Sequence, residues 1–231
     1  METAPSFKYS ILNRSNLRNV VIILSCASTL YYPVTRTAVA ISLFLLFAGS
    51  LLHFFVKGVL VRNTVLCKDG IYRLTRHPYY TSNYLIDVSL CLLSGNQYLL
   101  VAYPFLFFWA YGPTFRKEEA HLVTLYPEEY HRYGLETPQV LPDTSATRHW
   151  KRFLDGFLVS RVTPNELVRI LRFWTVALLL LLVRDLRKEG LGELFSAVPH
   201  DRDVLIFAAL IIVLMATQLI IGHRARKNGK V

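Results

Sequence analysis

Apolar and polar positions fall in long blocks along this chain. The first block, residues 1–19, is polar and carries Lys8, Arg14 and Arg18; an apolar stretch follows at 20–30. A second apolar block covers 38–61, with His53 and Lys57 towards its end. It is long enough to cross a hydrocarbon core that needs about 20 residues. The connection at 62–78 is polar and basic and ends in Arg76-His77-Pro78. Residues 79–111 are largely apolar but broken at Ser94-Gly95-Asn96. As one helix they would measure about 50 Å, too long for one crossing and short for two. The break predicts a tight helical hairpin over about 79–112 that turns at Gly95. Its second arm is expected to run on past Gly112-Pro113 to Leu125.

Pro127 starts a short helix that Gly134 is expected to end. Over 143–162, Trp150, Phe153, Leu154, Phe157 and Leu158 recur at helical spacing, with Arg148, Lys151, Arg152 and Arg161 largely opposite. This is the pattern of an amphipathic helix in the membrane interface, or of one packed on its own protein. Thr163-Pro164-Asn165-Glu166 is a capping box with proline at the first helical position. The helix it opens has a short apolar middle, 173–183, and spans if Arg169 and Arg172 snorkel to the headgroups. A last apolar block, 204–222, precedes the basic tail 223–230. The expected fold is an all-α integral membrane protein with about six transmembrane helices. Residues 1–142 would form its core, and 143–231 an interfacial helix plus two further transmembrane helices. The N-terminal arm has the outline of a signal peptide, but a second span follows at once and an uncleaved first helix is simpler.

Composition fits this picture and explains the charge. The chain has 231 residues, 53% hydrophobic and 18% charged, with 26 Lys+Arg against 16 Asp+Glu and a net charge of +10. In a polar chain such an excess would point to nucleic acid. Sorted by span, twenty basic residues lie on the N-terminal arm, 62–78, 113–172 and the tail, against five (Arg36, Arg184, Arg187, Lys188, Arg202) on the other connections. That bias predicts cytoplasmic N- and C-termini, with the polar segments between them on the same side. The patches at 148–152 and 224–230 read as anchors on the inner leaflet rather than nucleic-acid sites. Cys26, Cys67 and Cys91 lack metal-ligand spacing and read as small buried hydrophobes. His121 and His131 have no third ligand and read as surface residues, so no metal is expected.

Two polar segments flank the hairpin, and its tight turn makes them neighbours. One runs from Val65-Leu66-Cys67 through Tyr72 to Arg76-His77-Pro78-Tyr79-Tyr80. The other holds Arg116-Lys117-Glu118-Glu119, then Pro127-Glu128-Glu129-Tyr130-His131-Arg132-Tyr133, and closes with Thr137-Pro138-Gln139-Val140-Leu141-Pro142. A basic, aromatic mouth thus meets paired carboxylates, which suits a zwitterionic, hydroxyl-rich ligand with an aromatic ring. Arg76 or His77 would take a carboxylate, a glutamate an ammonium or ribose diol, and Tyr72 or Tyr80 would stack on a base. Alone, Glu118-Glu119 would also suit a solvated helix face. Asp87 lies within the hairpin and is costly there unless paired. Lys57 or His53 is its expected partner; otherwise it borders the path of a substrate.

The Arg-His-Pro-x-Tyr motif at 76–80 resembles isoprenylcysteine carboxyl methyltransferases. So do Glu118-Glu119 about 40 residues later and the Glu-Glu-Tyr-x-x-Tyr and Pro-x-x-x-Pro elements that follow, and the wider group is similar to phospholipid methyltransferases. The resemblance covers roughly 56–142. It implies a membrane methyltransferase that holds S-adenosylmethionine on the cytoplasmic side and admits a lipophilic acceptor from the bilayer. Carried over by position, cofactor binding falls to Val65, Leu66, Cys67, Tyr72, His77, Pro78, Tyr79, Tyr80, Glu118 and Glu119. Arg76, Arg116 and Asp87 are the candidates for the acceptor. Ser82 replaces a family glycine, Lys57 a family glutamine at the cofactor, and Thr114 a family arginine near the acceptor. These departures leave the acceptor open among a prenylcysteine carboxylate, a phospholipid amine, a quinone-like hydroxyl and a small hydrophobic thiol. Sterol reductases also carry Arg-His-Pro-x-Tyr, so a nicotinamide-dependent membrane reductase is the alternative enzyme, and a non-enzymatic membrane adaptor the alternative class.

Overall fold

The computed structural model describes residues 14–61, 65–142, 152–189 and 202–227. Seven α-helices occur among them, and no strand: α1 (Arg14–Thr29), α2 (Arg36–Val59), α3 (Pro78–Leu93), α4 (Gln97–Leu125), α5 (Pro127–Glu136), α6 (Pro164–Glu189) and α7 (Arg202–Lys227). By length and composition, two of them are apolar enough to cross a membrane, α2 and α7. A third of the most apolar stretch of α2 is buried inside the protein, against 6% of that of α7. Phe44, Phe47 and Leu51 on α2, and Leu210, Ile212, Val213 and Leu219 on α7, face outward. Water is a poor solvent for such faces, and a bilayer satisfies them. α1 and α3 have 16 residues each, about 24 Å of helix, while α6 carries charged residues at both ends of its apolar middle.

The hairpin forms as the sequence predicts. α3 begins with Pro78 at its first position, and Gly95 turns the chain with φ +73°. Asn96 caps α4, its Oδ1 accepting from the Leu99 N–H at 3.1 Å, while its Nδ2 donates to Ser28 Oγ on α1 at 2.8 Å. α4 then continues unbroken for 29 residues through Pro104 and Pro113. α2 and α3 are the most extensively packed pair, followed by α6 and α7. At the α2–α3 crossing a Cβ on Gly49 would lie 2.8 Å from Ile86 Cγ1 and 3.1 Å from the Ser82 carbonyl oxygen. Only glycine permits that approach. Ser82 is buried, its hydroxyl donating to the Tyr79 carbonyl at 2.7 Å.

Three sequence expectations change. Residues 152–162 form turns and a short 3₁₀ helix, Val159–Arg161, not an amphipathic α-helix; Gly156 has φ +74°, which no α-helix continues through. Phe153 and Phe157 pack on Phe55 of α2 with ring centroids 5.0 and 5.4 Å apart, while Leu154 and Leu158 stay exposed. The aromatic stripe therefore packs on the protein itself. Residues 143–151, including Arg148, Trp150 and Lys151, lie outside the described residues, as does the basic tail beyond 227. α5 runs through Gly134 to Glu136. Asp87 pairs with neither Lys57 nor His53. Arg18 of α1 takes it in a two-pronged bond (Nε to Oδ1 3.0 Å, NH2 to Oδ2 3.3 Å), and the Tyr103 hydroxyl of α4 donates to Oδ2 at 2.8 Å.

This network ties three helices through one wholly buried carboxylate. Removing one member of a buried pair strands the other, at a loss of roughly 3–5 kcal/mol. Asp87→Asn is therefore expected to lower the apparent unfolding temperature in detergent sharply. The double variant Arg18→Met/Asp87→Asn should recover much of that loss. An Asp87→Asn protein as stable as the parent would show that the network holds nothing together.

Candidate functional site

The site is assembled where both arms of the hairpin end. Leading into it, Leu66 packs beside Tyr130 and Tyr133 of α5, Cys67 Sγ sits 3.4 Å from the Val61 amide nitrogen, and Lys68 pairs with Glu129. A short 3₁₀ turn, Gly70–Arg73, buries Ile71 and Tyr72, and the Tyr133 hydroxyl donates to the Tyr72 carbonyl at 2.6 Å. The chain then meets the extended stretch after α5. The Arg76 amide donates to the Pro138 carbonyl at 2.8 Å and the His77 amide to the Gln139 carbonyl at 3.0 Å, while Thr81 Oγ1 donates to the Val140 carbonyl. The two flanking segments are thereby clamped together through their backbones.

Their side chains converge on the glutamate pair. Tyr80 donates its hydroxyl to Glu118 Oε1 at 2.5 Å. One oxygen of Glu119, Oε1, meets His77 Nε2 at 3.2 Å, Gln139 Nε2 at 3.1 Å and Arg76 NH1 at 3.2 Å. His77 Nδ1 lies 3.7 Å from Glu118 Oε2, and its ring stacks on Phe115 with centroids 5.3 Å apart. Burial would raise the Glu119 carboxyl, but the Gln139 bond, the Arg76 charge and the His77 contact outweigh it and hold that carboxyl below its usual range. Burial dominates at His77 and lowers it, with the two glutamates opposing only in part. Burial, helped by the Glu119 charge, pushes Tyr130 up to about 12. Near neutrality the cluster thus pairs an ionised Glu119 with a neutral His77 that donates from Nε2.

The expected residues divide into those brought together and those held apart. Arg76, His77, Tyr80, Glu118 and Glu119 form one cluster, with Pro78 opening the helix that presents Tyr80. Leu66 packs with Tyr130 and Tyr133, while Cys67 and Tyr72 pack against the end of α2; Val65 is exposed. Tyr79 instead joins a second group, accepting from Arg169 at 3.1 Å with Lys57 over its ring at 4.4 Å. Arg116 is exposed on α4. Asp87 lies seven residues beyond Tyr80 along α3, about 10 Å away. Gln139, Phe115 and Tyr130 join the cluster without having been assigned a role. Tyr130 and Gln139 lie within the quoted second segment, so their spacing was the available signal. An open groove of about 440 Å³ beside the cluster runs between Arg76, Val123, Pro127, Tyr130, His131, Gly134 and Leu135. Among the described residues, no three His, Cys, Asp or Glu side chains are grouped as a metal would require.

The fold and cluster define a helical membrane protein with a polar side-chain cluster at one end of a helix hairpin and an open, largely apolar groove beside it. The model of the isoprenylcysteine carboxyl methyltransferase family matches residues 35–124. That stretch holds α2, α3 and nearly all of α4. A protein-S-isoprenylcysteine O-methyltransferase of Schizosaccharomyces pombe is 25% identical over 95 residues, 41% of this chain and 40% of that protein. The chain therefore spans about two-fifths of the length of that curated relative. No solved structure matches.

The His77 shift carries a sign. Its folded value lies below the ordinary one of about 6.5, so its contribution to stability is intact above that pH and is lost as pH falls through the folded value. Apparent stability of the parent should drop between pH 7.5 and 5.5, and His77→Gln should flatten that drop. Parallel profiles for the two proteins would remove His77 as the group responsible.

Proposed function

We propose that the protein transfers a methyl group from S-adenosylmethionine to a lipophilic acceptor reached from the bilayer, with an isoprenylcysteine carboxylate the leading candidate and a phospholipid-like group the other. We further propose about six spans, with both termini and the site facing the cytoplasm, from the twenty-to-five distribution of basic residues. One observation carries the functional reading: Tyr80 with His77 on α3, and Glu118 with Glu119 on α4, are joined into one polar cluster within the family-matched stretch.

The donor set suits such a cofactor. Glu118 is the half-exposed member of the pair and stands ready for an ammonium or a ribose diol. Arg76, whose Nε is buried with no hydrogen-bond partner among the described residues, provides cationic capacity for a carboxylate. Tyr80, Phe115 and Tyr111 form an aromatic wall beside the glutamates. S-adenosylmethionine brings a methyl already activated by its sulfonium, so no acid, base or metal need create the electrophile. The protein's task is to hold acceptor and methyl in line and exclude water, where proximity and orientation supply most of the acceleration. Glu119 contributes by position: bound to Arg76, His77 and Gln139, it fixes the groups around Glu118.

S-adenosylhomocysteine should raise the apparent unfolding temperature of the solubilised protein, by about 2.7 kcal/mol of added stability at a hundredfold excess over Kd. Glu118→Gln should abolish that response while leaving the unliganded protein folded. Labelled methyl should then appear in a prenylcysteine or lipid fraction by mass spectrometry. Stabilisation by NADPH alone would sink the methyltransferase reading in favour of a reductase.

A further inference from the structure

Tyr80, the residue that meets Glu118, stands between two grips on the first turn of α3. A first turn has few intrahelical bonds of its own. Here the Tyr80 and Thr81 amides both fall back on the His77 carbonyl, at 2.9 and 3.1 Å. Side chains therefore decide how the turn sits. Thr81 and Tyr79 are two residues apart and point about 200° from one another around the helix. Thr81 Oγ1 donates to the Val140 carbonyl, part of the clamp to the stretch after α5. Tyr79 is held on the opposite flank, by α6.

That hold is made of short contacts. Arg169 NH1 donates to the Tyr79 hydroxyl at 3.1 Å and to Glu166 Oε2 at 2.9 Å. Glu166 in turn is fastened to α2, by Lys57 Nζ on Oε1 and His53 Nε2 on Oε2, each at 2.9 Å. Left to itself, an arginine side chain that is 41% exposed would sample many rotamers. Two acceptors at one nitrogen select a single one. Lys57 lies over the Tyr79 ring at 4.4 Å, and the His53 ring packs beside it with centroids 5.2 Å apart. The Tyr79 ring meets Tyr80 edge-on at 5.5 Å, while Tyr111 at 5.4 Å and Phe115 at 5.0 Å close in the Tyr80 ring from α4. Tyr80 is buried, so its ring moves only when a neighbour moves first. Its hydroxyl reaches Glu118 Oε1 at 2.5 Å, and a displaced ring loses that bond.

We propose that Arg169 is a positioning residue for the cofactor site, acting through Tyr79 to hold Tyr80 on Glu118. The contacts run from Glu166 through Arg169 and Tyr79 to Tyr80 and Glu118. Glu166 and Arg169 lie on α6, beyond the family-matched stretch that supplies the other three. α6 thus shapes a site that Arg169 does not line. The functional part rests on the reading of the glutamate pair as the S-adenosylmethionine site; the hold on Tyr80 does not.

Two readouts on the full chain in detergent separate these parts. A fluorotyrosine at position 80 reports the bond to Glu118 in the unliganded protein, with Glu118→Ala marking the fluorine resonance of the broken bond. Arg169→Gln and Tyr79→Phe should each shift that resonance towards the Glu118→Ala value. Each should also weaken S-adenosylhomocysteine binding about tenfold. The double variant should match either single one, because both cut the same contact. Tyr79→Phe serves alone if Arg169→Gln fails to fold. An unmoved resonance, or additive losses in the double variant, overturns the proposal even where the unfolding temperature falls. Parent protein that binds S-adenosylhomocysteine with an affinity neither variant changes overturns it too. A resonance that shifts in a protein whose parent form binds no S-adenosylhomocysteine upholds the hold on Tyr80 and defeats only the cofactor reading.

Discussion

A single carboxylate oxygen organises the functional end of this molecule. Glu119 Oε1 is shared by Arg76, His77 and Gln139, which come from the loop before α3, the cap of α3 and the extended stretch after α5. An ionised oxygen this poorly hydrated needs several donors to be tolerated. Once that need is met, α4, the 76–77 segment and the stretch after α5 have a common centre. The backbone bonds from Arg76 and His77 to Pro138 and Gln139 then have little freedom left. Tyr80 and Glu118 fall into place beside a centre that is already rigid. Charge satisfaction at Glu119 and the aromatic packing of His77 and Tyr80 on Phe115 act together at this end.

Deeper in the helices the same logic appears with different partners. Arg18, Asp87 and Tyr103 bind α1, α3 and α4, and His53, Lys57, Glu166 and Arg169 bind α2 to α6. Between these polar ties, contacts are close where small residues allow it. Gly49 lets α2 approach the carbonyl of Ser82.

Much of this was readable beforehand. Block hydropathy located the hairpin, its turn at Gly95 and the long second arm, because helix length against apolar run length is a local property. His77, Tyr80, Glu118 and Glu119 were also legible, since their motif flanks a hairpin and a tight turn forces its flanks together. Pairing choices were not. Asp87 has three candidate cations within reach of a helical bundle, and only tertiary packing selects Arg18 over Lys57 and His53. Glu166 was read as part of a capping box, which is a local rule, whereas its side chain is taken by Lys57 and His53 of α2 and by Arg169 of its own helix. The 143–162 stripe was misjudged for a related reason. Apolar spacing says that Phe153 and Phe157 are buried, but Gly156 between them shows that a turn can bury both.

That turn has an architectural consequence. The Leu158 amide donates to the Gly58 carbonyl, Arg161 reaches the Val59 carbonyl, and Phe153 and Phe157 cover the aromatic end of α2. Residues that follow the family-matched stretch therefore cover the end of its first helix. A chain cut at residue 124, or at the closing prolines, would leave the end of α2 uncovered, so the packed unit extends beyond the stretch that the family model matches.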